Sequence, residues 1–185
     1  MLHVGNQKGR IKGEKMKAVL ISVRPKWCEL IASGKKRIEV RKTRPKIETP
    51  FTVYVYMTKH KWIFKLLPFL KNRFAKVIGE FVCDKIVIFE KSELGISCKD
   101  FFALAESCVR VKEMRKYIGN KKIAYGWHIS DLKIYDNPKE LGEFSYPAEH
   151  DFTKRTIKES REMGFICHGA YITRPPQSWC YVEEI

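Results

Sequence analysis

An α+β fold is predicted, a small β-barrel or strongly curved sheet with a few flanking helices. Three observations point to it. At least five short apolar or alternating runs recur along the chain, the helical patterns between them are short, and 185 residues with 44% hydrophobic side chains suit one complete core. Residues 1–15 are polar, basic and glycine-bearing and read as a flexible basic arm. Residues 16–185 then form a single domain, with a polar excursion at about 143–168.

The elements follow in order. "KAVLISV" at 17–23 is a compact apolar run, as in a central strand. Pro25 suits the first turn of a short helix, Trp27, Leu30 and Ile31 recur at helical spacing, and Gly34 suits its end. A second strand starts near Arg37, and "FTVYVYM" at 51–57 alternates as a third. The aromatic, basic stretch at 60–76, with Trp62, Phe64, Leu67, Phe69, Leu70 and Phe74, reads as a packing helix broken near Pro68, or as a plug at the barrel end. "VIGEFVCDKIVIF" at 77–89 is a long bent strand or a close strand pair, with Gly79 permitting a bulge or a tight approach. One or two helices occupy 98–118, interrupted near Val109 and stopped by Gly119. At 121–135, Ile123, Tyr125, Trp127 and Ile129 define one strand face; Ala124, Gly126 and His128 define a small-residue face open to a ligand or to backbone. A short helix is expected around 153–162, and "RPPQSWCYV" brings a rigid corner and a closing strand.

Charge narrows the partner class. Of the net +15, residues 1–50 carry +10, from 14 Lys or Arg against four Glu, whereas residues 101–150 carry +1, from 8 against 7. A positive field concentrated in the first third suits a polyanion, because Lys and Arg beside phosphates release condensed counterions. RNA or a nucleotide is the expected partner, with DNA also admitted and a membrane not expected. No run approaches the roughly 18 apolar residues of a membrane helix and the start lacks an apolar leader segment, so a cytoplasmic location is expected. The six cysteines form no CxxC pair, the five histidines are isolated, and acidic residues do not cluster. Neither a disulfide framework, a metal nor a cofactor is expected.

The segment most dense in charge is "SGKKRIEVRKTRP" at 33–45, which surrounds Glu39 with Lys35, Lys36, Arg37, Arg41, Lys42 and Arg44. A period of two turns Ile38 and Val40 to the core and puts Arg37, Glu39 and Arg41 on the other face, with the carboxylate between two guanidinium groups. An exposed ladder of this kind is worth little. A binding face explains the crowding better, with Lys36, Arg41 and Arg44 on phosphates or base edges and Lys35 and Arg37 adding field. Hydrolysis of an amide or a phosphodiester would require proton transfer and charge stabilisation, for which Lys36 and Glu39 are the first candidates and Glu80 and His128 weaker ones.

This segment, with "RPKWCELIA", "VIGEFVCD", "GKKIAYGWHISDLKIYDNP" and "RPPQSWCYV", resembles the ASCH domain family of the PUA-like superfamily over about 17–141 and 174–182. The resemblance implies a β-barrel with flanking helices and a cleft rimmed by the lysine- and glutamate-bearing strand. Gln177 and Ser178 are expected at that rim. It also implies RNA or nucleotide binding, with nucleases and N4-acetylcytidine amidohydrolases among its members. In the amidohydrolases a lysine, a threonine and a glutamate act together. The lysine corresponds to Lys36, but Glu39 stands at the threonine position, and Thr43 lies four residues too late. The reading is therefore a binding module, with a small hydrolase of a modified nucleoside or of RNA as the alternative.

Overall fold

The computed structural model describes residues 17–59, 72–93, 95–147 and 171–185. The arm at 1–15, the stretch from Trp62 to Leu70, and the part of the excursion that includes the helix expected near 153–162 lie outside the described residues. The elements are β1 (Lys17–Val23), α1 (Pro25–Ala32), β2 (Ile38–Arg41), β3 (Phe51–Met57), β4 (Val77–Cys83), β5 (Ile86–Lys91), β6 (Ile96–Cys98), α2 (Ala103–Glu106), α3 (Val111–Ile118), β7 (Ile123–His128), β8 (Ser130–Lys139) and β9 (Trp179–Glu183).

Two sheets form. One has the order β8-β4-β3-β1-β9, the other β2-β7-β5-β6. Strands β1 and β3 pair in parallel, with Val19 opposite Val53, so the chain between them makes a crossover, and it does so through α1 and β2. The unbroken apolar run of β1 follows from its place in the sheet. Val19, Ile21 and Val23 face the central core with Phe81 and Trp127, whereas Ala18 and Leu20 join Tyr54, Phe144 and Ile172 on the other side. A strand covered on both faces has no polar alternation to show.

The sheets are not closed into the expected barrel. They are joined by two corners instead: the chain crosses from β4 to β5 at residues 84–85 and from β7 to β8 at Ile129. Ser130 sits opposite Val82 on one side of the corner and Trp127 opposite Ile86 on the other, so two long bent strands run together through both sheets. Gly79 permits the close approach expected of it, since a Cβ there would collide with the carbonyl oxygen of Lys133 in β8. The small-residue face of β7 does not receive a ligand. A Cβ on Gly126 would meet side chains of Val87, Ile38 and Phe89 at 2.6–2.7 Å, and Ala124 is buried with them beneath α2 and α3.

The C-terminal strand does close the fold beside β1, with Tyr181 opposite Val19 and Trp179 opposite Ile21. Trp179 packs edge-on against Trp127 and Tyr181, at centroid separations of 6.1 and 5.4 Å, and Val182 is fully buried. Truncation after Arg174 removes these ring contacts and exposes the edge of β1. The truncated chain should lose cooperative thermal unfolding or melt far below the full chain in calorimetry, because aromatic burial and a whole ladder disappear together; an unchanged melting temperature would contradict this role for β9.

Candidate functional site

Local structure brings Lys36 inward. Helix α1 stops at Ser33 and Gly34, the latter at φ +71°, and the returning chain donates the Lys36 N–H to the Leu30 carbonyl at 2.9 Å. The Lys36 ammonium then lies 5.0 Å from the centroid of the Trp27 ring. On its far side the chain between α2 and α3 turns at Cys108, φ +55°, and the Ser107 carbonyl accepts from Lys36 Nζ at 2.6 Å.

Strand β2 supplies the other two charges. Ile38 and Val40 pack under the helices as the alternation predicts, but the opposite face is buried as well: Glu39 and Arg41 are each 6% exposed and Lys36 is 2% exposed. Glu39 Oε2 lies 3.4 Å from Lys36 Nζ, and Glu39 Oε1 lies 3.1 Å from Arg41 Nη2. Arg41 also donates from Nη2 to the Ser22 carbonyl at 2.9 Å and from Nη1 to the Ser178 carbonyl at 3.1 Å. One carboxylate thus holds two cations, and one of those cations bridges β2 to β1 and to the corner before β9.

Above this triad lies a cavity of about 390 Å³. Arg24 and Trp27 enter it from the start of α1, Gln177 and Ser178 from the proline corner, and Val109, Glu113, Met114 and Tyr117 from the α3 segment. Positions 113 and 117 lie four residues apart, which places them on one face of α3, and Val109 precedes the helix. The sequence reading missed this wall; the only signal for it was a carboxylate and an aromatic four residues apart. Trp27, one of the helically spaced residues of α1, serves both the core and the cavity.

The expected site residues are thereby divided. Lys36, Glu39, Arg41, Gln177 and Ser178 meet at the cavity. Lys35, Arg37 and Arg44 are exposed outside its lining, with the Arg44 guanidinium 6.0 Å from the Tyr125 ring centroid. Glu39 is paired with Lys36 and Arg41, so its expected position between Arg37 and Arg41 is corrected: Arg37 lies ahead of β2, its N–H bonded to the Glu106 carbonyl at 2.9 Å. Glu80 and His128 are elsewhere. Glu80 accepts from Tyr135 Oη at 2.5 Å, and His128 Nδ1 lies 2.6 Å from Asp84 Oδ1, in contacts that do not border the cavity. Thr43 is also outside, its hydroxyl accepting from Trp179 Nε1 at 2.9 Å.

Burial sets the electrostatics. Desolvation lowers the Lys36 pKa from the ordinary lysine value, opposed by the charge and hydrogen bond of Glu39. Burial pushes the neighbouring Cys28 thiol well up, and the charge of Glu39 adds to it, so Cys28 stays a protonated thiol rather than a nucleophile. Among the described residues, no three His, Cys, Asp or Glu side chains are grouped to hold a metal ion.

The ASCH domain model matches residues 21–140, which run from the end of β1 through β8 and include both charged residues of β2. The chain belongs to the ASCH domain family. Its fold is PUA-like, and it is similar to the crystal structure of ASCH from Zymomonas mobilis, with a TM-score of 0.56 at 20% identity over 90% of this chain and 88% of that one. A serine-to-alanine variant of the same protein aligns with a TM-score of 0.56 at 19% identity, covering 90% and 89% of the two chains. A tyrosine-to-phenylalanine variant aligns at 0.54 and 19%, covering 90% and 91%. At such identities the likeness is one of fold. No curated protein matches the chain.

Two outcomes follow for the ASCH triad. Glu39→Ala strands two buried cations, and urea denaturation should show a loss of about 3–5 kcal/mol; Glu39→Gln should lose less, because the amide still offers an acceptor. The second concerns pH. With the folded pKa of Lys36 below 10.5, the unfolded chain holds a proton that the folded chain has released, so this lysine's contribution is present above 10.5 and is lost as pH falls through the folded value. The stability difference between wild type and Lys36→Met should therefore shift in favour of wild type between pH 8 and pH 10.5, read by denaturation at each pH. A difference independent of pH would contradict it.

Proposed function

We propose that this ASCH domain is an RNA- or nucleotide-binding module that takes one nucleotide into the cavity over Lys36, Glu39 and Arg41. The cavity carries the reading. Its volume suits a single nucleotide, and its floor offers a donor beside an acceptor, the pattern that a base edge answers. Exposed Lys35, Arg37, Lys42 and Arg44 lie on the segment around it and supply the contacts to phosphate. Arg41 is a strut in this reading rather than a phosphate contact, since its Nη groups already serve Glu39 and two carbonyls. Gln177 at the rim adds a side chain able both to donate and to accept. A cytoplasmic location accords with such a role.

A second reading has one observation of its own. Lys36 is an amine of lowered pKa, beside a carboxylate, inside a nucleoside-sized cavity, which suits proton transfer in the hydrolysis of an N4-acylated cytidine. Against it, Glu39 stands where the amidohydrolase threonine would be, and Thr43 is occupied with Trp179. An RNA phosphodiesterase is less well supplied, because His128 is engaged with Asp84 outside the cavity.

A parallel assay separates these readings. Wild type should bind short single-stranded RNA more weakly as salt rises, and more tightly than duplex RNA or DNA. Lys36→Ala should weaken binding across sequences, and Lys36→Arg should preserve an appreciable part of it, both variants being checked for folding by thermal melts. Product formed from acylated cytidine or from labelled RNA, and abolished by both substitutions, would establish the hydrolase instead. RNA affinity no greater than that of an equally basic control protein would remove the binding reading.

A further inference from the structure

Two phenylalanines stand exposed side by side. Phe101 is 88% exposed and Phe102 67% exposed, and their rings touch edge to face at a centroid separation of 5.4 Å. Side chains of this size are ordinarily buried, and a paired exposed aromatic patch marks a contact surface. The pair is also held in place. Asp100 Oδ1 accepts from the Phe102 N–H at 3.2 Å, while Asp100 Oδ2 lies 3.1 Å from Lys85 Nζ.

Their place relative to the cavity identifies what they meet. Phe102 starts α2, and Ser107 ends it with the carbonyl that holds Lys36. Five residues at helical rise span about 8 Å, so the aromatic pair lies a short step along one element from the carbonyl that holds Lys36 at the cavity floor. Charges of both signs flank that step. Arg37 bonds through its backbone to Glu106, the Lys35 carbonyl receives the Cys108 thiol at 3.3 Å, and Lys99 precedes Asp100 in the chain; Lys35, Arg37 and Lys99 are exposed cations, whereas Lys85 is paired with Asp100 and lies in the field of Asp84 and Glu106. Next to the pair in sequence, Lys99 and Asp100 border a groove of about 460 Å³ whose lining also includes Ile88 and Glu90.

We infer that Phe101 and Phe102 are a base-stacking platform for single-stranded RNA, carrying the strand that leaves the cavity past Lys35 and Arg37. This rests on the proposed nucleotide-binding reading and extends it: the ligand is a strand of several nucleotides, not a free nucleotide. Exposed aromatic faces beside a cationic track are the physical means by which single strands are held without regard to sequence, since every base has a π face. Lys85 is partly spent on Asp100, and Lys35, Arg37 and Lys99 supply the charge complementarity.

The test measures affinity against length. Wild type and the double variant Phe101→Ala/Phe102→Ala are titrated with labelled hexauridylate by fluorescence anisotropy, and with uridine monophosphate by calorimetry. Wild type should bind the hexamer more tightly than the mononucleotide. The double variant should lose at least about fivefold on the hexamer, keep its mononucleotide affinity, and melt at the same temperature, because it removes only exposed rings. Wild-type binding with an unchanged hexamer affinity in the variant would overturn the platform alone. A change in sedimentation rather than in RNA affinity would overturn it in favour of a contact between copies of the chain. No binding of either ligand by wild type would overturn the nucleotide-binding reading, and the platform with it.

Discussion

Glu39 is the residue on which the site depends. Two buried cations converge on it, and without it their burial would go uncompensated, because the desolvation of an ammonium or a guanidinium is costly unless opposed by a nearby anion and by hydrogen bonds. The Ser107 carbonyl, the Trp27 ring and the carbonyls of Ser22 and Ser178 complete the set. Since those groups belong to α1, β1, the turn after α2 and the corner before β9, the triad also fixes how these parts sit around the cavity.

The basic segment therefore serves two purposes. Its inner residues, Lys36 and Arg41, are spent on architecture and on a polar floor; its outer residues, Lys35, Arg37, Lys42 and Arg44, remain exposed in water. The outer charges are the ones that salt screens, and on a nucleic acid they would give affinity with little sequence preference. A ligand held as proposed would meet the inner charges in a dehydrated place, where a misplaced donor or acceptor is costly, which suits them to discrimination.

The cavity's position follows from the fold. Bending β4 into β5 and β7 into β8 lets two sheets share a core while remaining open, and the polar face of β2 is left at their junction instead of in solvent. Helix α3 then covers that face with Glu113 and Tyr117, and Val109 joins them from the chain just before the helix. The aromatic pair at the start of α2 lies on the same covering segment, which makes 99–119 the part of the chain where changes in ligand preference would be expected to concentrate.

The one-dimensional pattern determined much of this protein. The apolar run of β1 and the apolar and aromatic run "FTVYVYM" mark strands buried on both faces; Pro25, Gly34 and Gly119 mark helix limits through backbone geometry; and the crowding of charge around Glu39 pointed to the candidate site. These signals are local, and local chemistry writes them. Four matters were decided only by tertiary structure: that the sheets stay open, that Arg41 is consumed by carbonyls from distant strands, that His128 turns to Asp84 away from the cavity, and that α3 supplies a wall. The reason is physical. A period of two assigns a side chain to a face, but whether that face meets water, another sheet or a helix depends on partners more than a hundred residues away, as when Arg41 meets Ser178.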